Sequence, residues 1–210
     1  EYYPGAFKAK TWVLNTGRGC PFKCTFCINQ HSSQKWRFKN PGRLINEIQA
    51  IIDKFNPDFI HFQDDLFFSN QERIFKFIEE YYKRGWQFKF FTLTFANYFT
   101  DTYINRKMLA WFEGKAVWLG MGVESGSEEI RCQLNKQISN DKVIEVVAAF
   151  KDIDVKFGLA FMTGIPIENR QNRFETIKFI DRLSKINKNC SFVLQAWRPY
   201  PGGQLYETAK

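Results

Sequence analysis

Short apolar runs and longer amphipathic stretches take turns along this chain. β-Branched and aromatic residues gather at Thr11 to Asn15, Asp58 to Gln63, Phe88 to Thr94, Ala116 to Gly122, Val155 to Thr163 and Ser191 to Trp197, six segments of strand length. Between them the apolar positions switch to helical spacing. Leu44, Ile45, Ile48, Ile51, Ile52 and Phe55 form one such stripe, Ile74, Phe75, Ile78 and Tyr82 a second, and Val143, Val146, Val147 and Phe150 a third, with a further helix over Phe174 to Ile186. Strand and helix alternate in units of roughly 30 to 40 residues, which predicts βαβ crossovers and a parallel sheet. Either a partial barrel or an open doubly wound sheet satisfies that pattern.

Alternation within the strands separates the two. A filled barrel interior is dominated by Val, Ile and Leu. Here one alternate set reads Trp118, Gly120, Gly122, Glu124 and then Gly158, Ala160, Met162, Gly164, while the opposite set is bulky: Leu119, Met121, Val123, and Phe157, Leu159, Phe161. With the bulky set under helices, the small set faces an open space, joined by His61, Gln63, Thr92, Thr94, Gln195 and Trp197. The expectation is an α/β fold, a partial TIM-like (β/α)6 barrel of parallel strands around a partly polar ligand chamber. Bulges or close strand contacts are the other use of such glycines. Asn29 to Asn40 is the longest irregular stretch, and loops of that length are often functional.

A length of 210 residues with 44% hydrophobic and 25% charged content suits one globular domain. No apolar run approaches the roughly 20 residues that cross a bilayer, and Glu1-Tyr2-Tyr3-Pro4 lacks the regions of a secretory signal. The formal charge of +8 comes from cations scattered along the chain, a solvated basic surface rather than a nucleic-acid tract. Of the five cysteines, three crowd between Cys20 and Cys27, where mutual disulfides would be awkward. A metal site in a reducing, cytoplasmic compartment accounts for them better.

Cys20, Cys24 and Cys27 follow the first strand, at the C-terminal mouth of the sheet where active sites gather. Three thiolates at this spacing can wrap one soft metal centre. Iron–sulfur ligation ordinarily takes four cysteines, so three leave one position open. Zinc is the competing reading, since His31, four residues beyond Cys27, would complete a Cys3His set.

The segment Gly17-Arg18-Gly19-Cys20-Pro21-Phe22-Lys23-Cys24-Thr25-Phe26-Cys27 resembles the signature of the radical S-adenosylmethionine (SAM) superfamily. Phe62-Gln63-Asp64-Asp65, Gly122-Val123-Glu124-Ser125-Gly126-Ser127, Lys136, Gly164-Ile165-Pro166 and Tyr200-Pro201-Gly202-Gly203 are similar to its cobalamin-binding, class B methyltransferase-like subgroup. The resemblance implies that the three cysteines hold a 4Fe-4S cluster, that SAM fills the open iron, and that reductive cleavage yields a 5′-deoxyadenosyl radical. It implies further that Asp64 and Asp65 meet the SAM ammonium, and that Glu124 and Ser125 approach its ribose and methionyl portion. Lys136 would meet the carboxylate, and Gly164, Ile165, Pro166 and Phe26 the adenine.

Beyond the cluster no catalytic residue is assigned. Where relatives continue with Gly-Glu-Thr after the Gly-aliphatic-Pro turn, this chain has Ile167, Glu168 and Asn169. Cys132 and Cys190 read as small buried hydrophobes. His61, Gln63 and Trp197 are candidate substrate contacts, with Arg198 and Tyr200 beside them at the end of the last strand. Residues 1–210 are expected to be the catalytic core, with a cobalamin-binding domain before Glu1, an electron donor such as flavodoxin or ferredoxin, and methyl transfer or radical rearrangement as the outcome. A tRNA methylthiotransferase-like enzyme and a zinc-stabilised nucleic-acid-binding domain are the alternatives.

Overall fold

In a computed structural model, residues 9–30, 35–201 and 203–209 are described. The order is β1 (Thr11–Leu14), β2 (Gly17–Arg18), β3 (Arg37–Phe38), α1 (Pro41–Phe55), β4 (Phe59–Phe62), α2 (Gln71–Lys83), β5 (Lys89–Thr94) and α3 (Arg106–Phe112). Then come β6 (Ala116–Glu124), α4 (Glu128–Gln133), α5 (Asn140–Ala149), β7 (Lys156–Thr163), α6 (Arg170–Ile186), β8 (Cys190–Ala196) and α7 (Gln204–Thr208).

Local chemistry sets the helix boundaries. Asn40 accepts the Arg43 N–H at 2.8 Å ahead of Pro41, and Asn56 ends α1 in the left-handed region at φ 42°. Asn70 caps α2 through the Arg73 N–H at 2.8 Å, and Asn169 with Asn172 forms a reciprocal capping box on α6.

Six strands make one parallel sheet in the order β1-β4-β5-β6-β7-β8, so each successive main-sheet strand is added beside the last. Among the described residues β1 and β8 do not pair, and the barrel is open along that seam. The six strand segments expected from the sequence are all present. Between the outer sheet face and the helices lies an aromatic-rich core in which Phe62, Phe67, Phe77, Phe90, Phe112 and Phe157 are fully buried. The predicted irregular stretch from Asn29 to Asn40 contains β3, which pairs antiparallel with β2 in a two-residue ladder. That ladder closes the neck of the loop carrying the three cysteines. No helix among the described residues is long and apolar enough to cross a membrane.

Two expectations about the chamber need correction. Thr92 and Thr94 do not face it: both are buried, Thr92 pairs in register with the outward Leu119, and its hydroxyl donates to the Phe62 carbonyl at 2.9 Å. A register shift between Phe90 and Phe91 accompanies this phase, which aims Phe91 and Leu93 inward. Nor do Gly120 and Gly158 leave empty space. A Cβ on Gly120 would stand 2.1 Å from the Trp118 ring, and one on Gly158 2.6 Å from it. These glycines make room for the indole, which forms a floor across β6 and β7.

Candidate functional site

The cysteine loop leaves β2 through Gly19, whose φ of 77° suits a residue without a side chain. Within it the Cys27 N–H donates to the Cys24 carbonyl at 3.1 Å. The rest is held by distant segments. The Thr25 N–H donates to the Leu134 carbonyl at 3.0 Å, the Asn135 amide to the Lys23 carbonyl at 2.9 Å, and the Leu205 N–H to the Thr25 carbonyl at 3.1 Å. The turn after α4 and the start of α7 therefore fasten the loop over the sheet's C-terminal end.

All three thiols are free and half-buried. Burial pushes each above the ordinary thiol range, Cys24 to about 11, while the Lys136 ammonium pulls the other way. Soft donors on one anchored loop beside a buried cation fit an iron–sulfur cluster. Among the described residues no three histidine, cysteine or carboxylate groups converge on one ion. A four-iron cluster takes one thiolate per iron and so asks for donors spread apart, unlike a single tetrahedral zinc. His31, the fourth ligand of the zinc alternative, lies outside the described residues.

Asp64 and Asp65 part company. Asp64 is buried and accepts hydrogen bonds from the Thr16 N–H at 2.6 Å and from the Thr16 hydroxyl. The Arg73 guanidinium lies 3.6 Å away, and Arg73 also donates to the carbonyls of Thr16 and Phe67. Asp65 is exposed, and its charge reaches both Cys20 and Cys27, adding to the rise that burial mainly causes; at Cys20 the Cys27 thiol contributes ahead of it. Of the expected pair, only Asp65 faces the cysteines with its carboxylate uncommitted to that buried network.

Glu124 ends β6 at a register shift with φ 71°, a left-handed conformation that a non-glycine residue rarely adopts. Its carboxylate meets the Lys136 ammonium at 3.0 Å, with side chains 11% and 10% exposed. Gly122 leaves the room, since a Cβ there would lie 2.3 Å from Glu124 Oε1. Burial works against the Lys136 charge, but Glu124 and then Cys24 overcome it and hold its pKa above the ordinary lysine value. Ser125 turns the other way: it is fully buried, its hydroxyl lies 3.1 Å from the Thr176 hydroxyl and accepts the Ser127 N–H at 3.1 Å. Ser125 thus anchors the loop to α6.

Gly164 follows β7 at φ 74°, and its N–H donates to the Glu168 carboxylate at 2.8 Å. Glu168 closes the turn where the sequence departs from the related pattern. Ile165 is buried with Ile130, Leu134 and Leu205, and Phe26, Met162 and Trp197 pack against that cluster. Beside it, Phe26, Met162, Gln195, Trp197 and Tyr200 line a pocket of about 420 Å³. Pro166 and Gln63 are exposed. His61 is half-buried, its ring 4.3 Å from Phe91, and burial lowers its pKa.

Four positioning residues escaped the sequence reading: Thr16, Arg73, Arg131 and Glu168. Arg131 is 1% exposed and reaches the Ser125 and Ile138 carbonyls and Asn140, shaping the segment that delivers Lys136. Arg73 is hidden by a stripe read in the wrong phase: of Ile74, Phe75, Ile78 and Tyr82, Phe75 and Tyr82 are exposed, while α2 buries Arg73, Ile74, Phe77 and Tyr81.

A family model for the Radical SAM superfamily matches residues 14–180. A Pyrococcus horikoshii protein described as an uncharacterized methyltransferase is 30% identical over 202 residues, covering 94% of this chain and 41% of that protein. Among solved structures, the cobalamin-dependent SAM radical enzyme OxsB, with aqua-cobalamin and SAM bound, has a TM-score of 0.70 at 19% identity and covers 93% of this chain and 29% of that one. The radical SAM methyltransferase TsrM from Kitasatospora setae, with tryptophan and a SAM analogue bound, has a TM-score of 0.77 at 11% identity, covering 94% and 38%. At such identities these two likenesses establish the fold, a TIM-like barrel. The chain spans about two fifths of the curated relative's length.

Proposed function

Because the chain belongs to the radical SAM superfamily, with methyltransferase-like and cobalamin-dependent relatives, we propose that it cleaves SAM reductively to drive methyl transfer or radical rearrangement of a substrate held above Trp118. The observation that carries this is the loop of three half-buried free thiols set over the Glu124–Lys136 pair at the sheet's C-terminal end. A 4Fe-4S cluster held by Cys20, Cys24 and Cys27 would supply one electron to the sulfonium of SAM, whose carbon–sulfur bond breaks to methionine and a 5′-deoxyadenosyl radical.

The chain's own residues bind and orient. Asp65 accepts from the SAM ammonium, while Asp64 fixes the strand end behind it through Thr16 and Arg73. Lys136 meets the SAM carboxylate as a point charge, held in place by Glu124. The strained backbone at Glu124 brings that carboxylate back over Gly122, towards the ribose. The turn closed by Glu168 presents Gly164, Ile165 and Pro166 to the adenine, and the pocket by Phe26 and Trp197 offers aromatic faces for a flat base with Gln195 and Arg198 as polar groups at its edge. Ser125 supports this arrangement from below.

Anaerobic reconstitution with iron and sulfide, then dithionite and SAM, should give a brown protein that releases 5′-deoxyadenosine. A Cys20→Ala/Cys24→Ala/Cys27→Ala variant should give neither. A colourless wild-type protein, or 5′-deoxyadenosine from the triple variant, would overturn the proposal. Repeating the assay with methylcobalamin tests the cobalamin-dependent branch.

A further inference from the structure

Every electron consumed by the proposed reaction must enter near the cysteine loop, and the neck of that loop has an unusual charge. The chain enters the loop at Gly17–Arg18 and leaves it at Arg37–Phe38, and the β2–β3 ladder sets Arg18 directly opposite Arg37. Like charges in that relation repel. Lys39 and Arg43 join them around a hollow of about 360 Å³. Glu47 answers Lys39 at 2.6 Å, but neither Arg18 nor Arg43 has a carboxylate partner among the described residues. Exposed Lys35 and Trp36 adjoin, with the Trp36 ring 38% exposed and 5.3 Å from Phe38.

We propose that this neck is the docking site of an acidic one-electron carrier protein. The inference rests on the radical SAM reading above, which requires the electron. A hollow edged by exposed arginines, with an exposed aromatic next in the chain, has the anatomy of a small, transient interface, and charge without a carboxylate partner at Arg18 and Arg43 steers an acidic partner to it quickly. Arg18 stands two residues before Cys20, so a carrier seated here is adjacent to the loop that needs the electron. The transfer moves one electron from the carrier's fully reduced flavin, left as the semiquinone, to the cluster, and no bond forms. Arg18, Arg37 and Arg43 are at the rim and exposed, which suits a protein surface better than a small anion, whose site would be enclosed.

The test is Arg18→Glu combined with Arg43→Glu. Both changes respect the fold: a glutamate at 18 faces Arg37 as an opposite charge, and one at 43 sits in the first turn of α1, where acids are favoured. Binding of oxidised flavodoxin to the full chain, followed by flavin fluorescence, should weaken about tenfold in the variant, and in wild type on raising salt from about 50 to about 300 mM. Formation of 5′-deoxyadenosine without substrate should fall about tenfold with flavodoxin and its reductase, yet stay within about twofold with dithionite. Unchanged flavodoxin binding in the variant overturns the proposal. So does an equal loss with dithionite, which would make the neck part of the SAM or cluster site. Salt-sensitive binding of single-stranded RNA with none of flavodoxin would assign the surface to nucleic acid instead. A wild type inactive with dithionite defeats the proposed reaction, and the binding measurement still decides the docking site.

Discussion

Neighbouring carboxylates Asp64 and Asp65 should fail in different ways when neutralised. Asp64 and Arg73 have side chains 2% and 0% exposed, so Asp64→Asn leaves a guanidinium uncompensated in the interior. Breaking a buried pair on one side costs about 3 to 5 kcal/mol, and at this chain length each kcal/mol lowers the melting temperature by roughly 2 to 4 °C. The expected drop is therefore about 6 to 20 °C in thermal unfolding of the cluster-free protein. Arg73 keeps its bonds to the Thr16 and Phe67 carbonyls, which places the outcome towards the lower end. Asp65→Asn touches an exposed group and should move the melting point by about 2 °C at most. On the proposed role of Asp65 it would instead remove a charge-assisted bond to SAM worth about 1.5 to 3 kcal/mol, roughly a 10- to 100-fold loss of affinity by equilibrium binding to the reconstituted protein. Asp64→Leu with Arg73→Met, which removes both charges, should be more stable than Asp64→Asn alone. The reasoning is refuted if Asp64→Asn melts with wild type while binding SAM poorly, or if Asp65→Asn loses comparable stability.

Glu168→Ala removes the acceptor of the Gly164 N–H and Thr163 hydroxyl; calorimetry should show a loss of about 1 kcal/mol together with weaker SAM binding, and Glu168→Gln should restore most of both. Equal behaviour of the two variants would remove the turn-closing role. Gly126→Ala places a Cβ 2.6 Å from Thr176 Cα and 2.9 Å from the Glu175 carbonyl, backbone that cannot swing aside, and should cost about 1 to 3 kcal/mol in urea unfolding. Gly114→Ala, with φ 74° and open space, should cost only about 1 kcal/mol, and the reverse ranking would contradict the close approach of loop and helix. Burial pushes the Cys190 thiol up to about 11, so near pH 8 it stays protonated and inert, while exposed Cys132 gives the fast phase with Ellman's reagent in the cluster-loaded protein. A raised folded value also means that stability linked to Cys190 is complete below about pH 9 and drains away as pH rises through 11. Loss of the fast phase in Cys190→Ala rather than Cys132→Ala would overturn that assignment.

The strand segments and the cysteine loop were legible because each is a local signal: apolar period in the one, donor spacing in the other. Strand phase was less so. β5 reads Phe-Phe-Thr-Leu-Thr, where sequence offers threonines as the polar, inward set, yet the threonines pack under helices and Leu93 stands 42% exposed on the inner face. A hydroxyl that can donate to a neighbouring strand's carbonyl pays little for burial, so polarity misjudges the face. Cys132 was misread similarly: it is exposed, because α4 turns Ile130 and Arg131 inward and leaves the next position outside. The network of Asp64, Thr16 and Arg73 depends on segments 48 and 57 residues apart, and no local pattern reports which of two adjacent aspartates turns inward.

The depth of the chamber follows from the same glycines that suggested it. Successive inward positions on a strand rise by about 7 Å per pair of residues. The Trp118 indole occupies the layer of Gly120 and Gly158, and the Glu124–Lys136 pair occupies the room beside Gly122 one layer higher. The free lumen over β6 and β7 is thus a shallow one, roughly two layers between the indole and the mouth. On the other side Val13 and Leu93 remain 52% and 42% exposed, and the seam between β1 and β8 is unpaired. A substrate that reaches a radical formed over the Glu124–Lys136 pair therefore has more room to approach from the mouth and the β1 side than from below. The basic neck of the cysteine loop begins three residues beyond β1, at Gly17, so in the proposed reaction the route for substrate and the proposed entry for the electron would share one rim of the barrel.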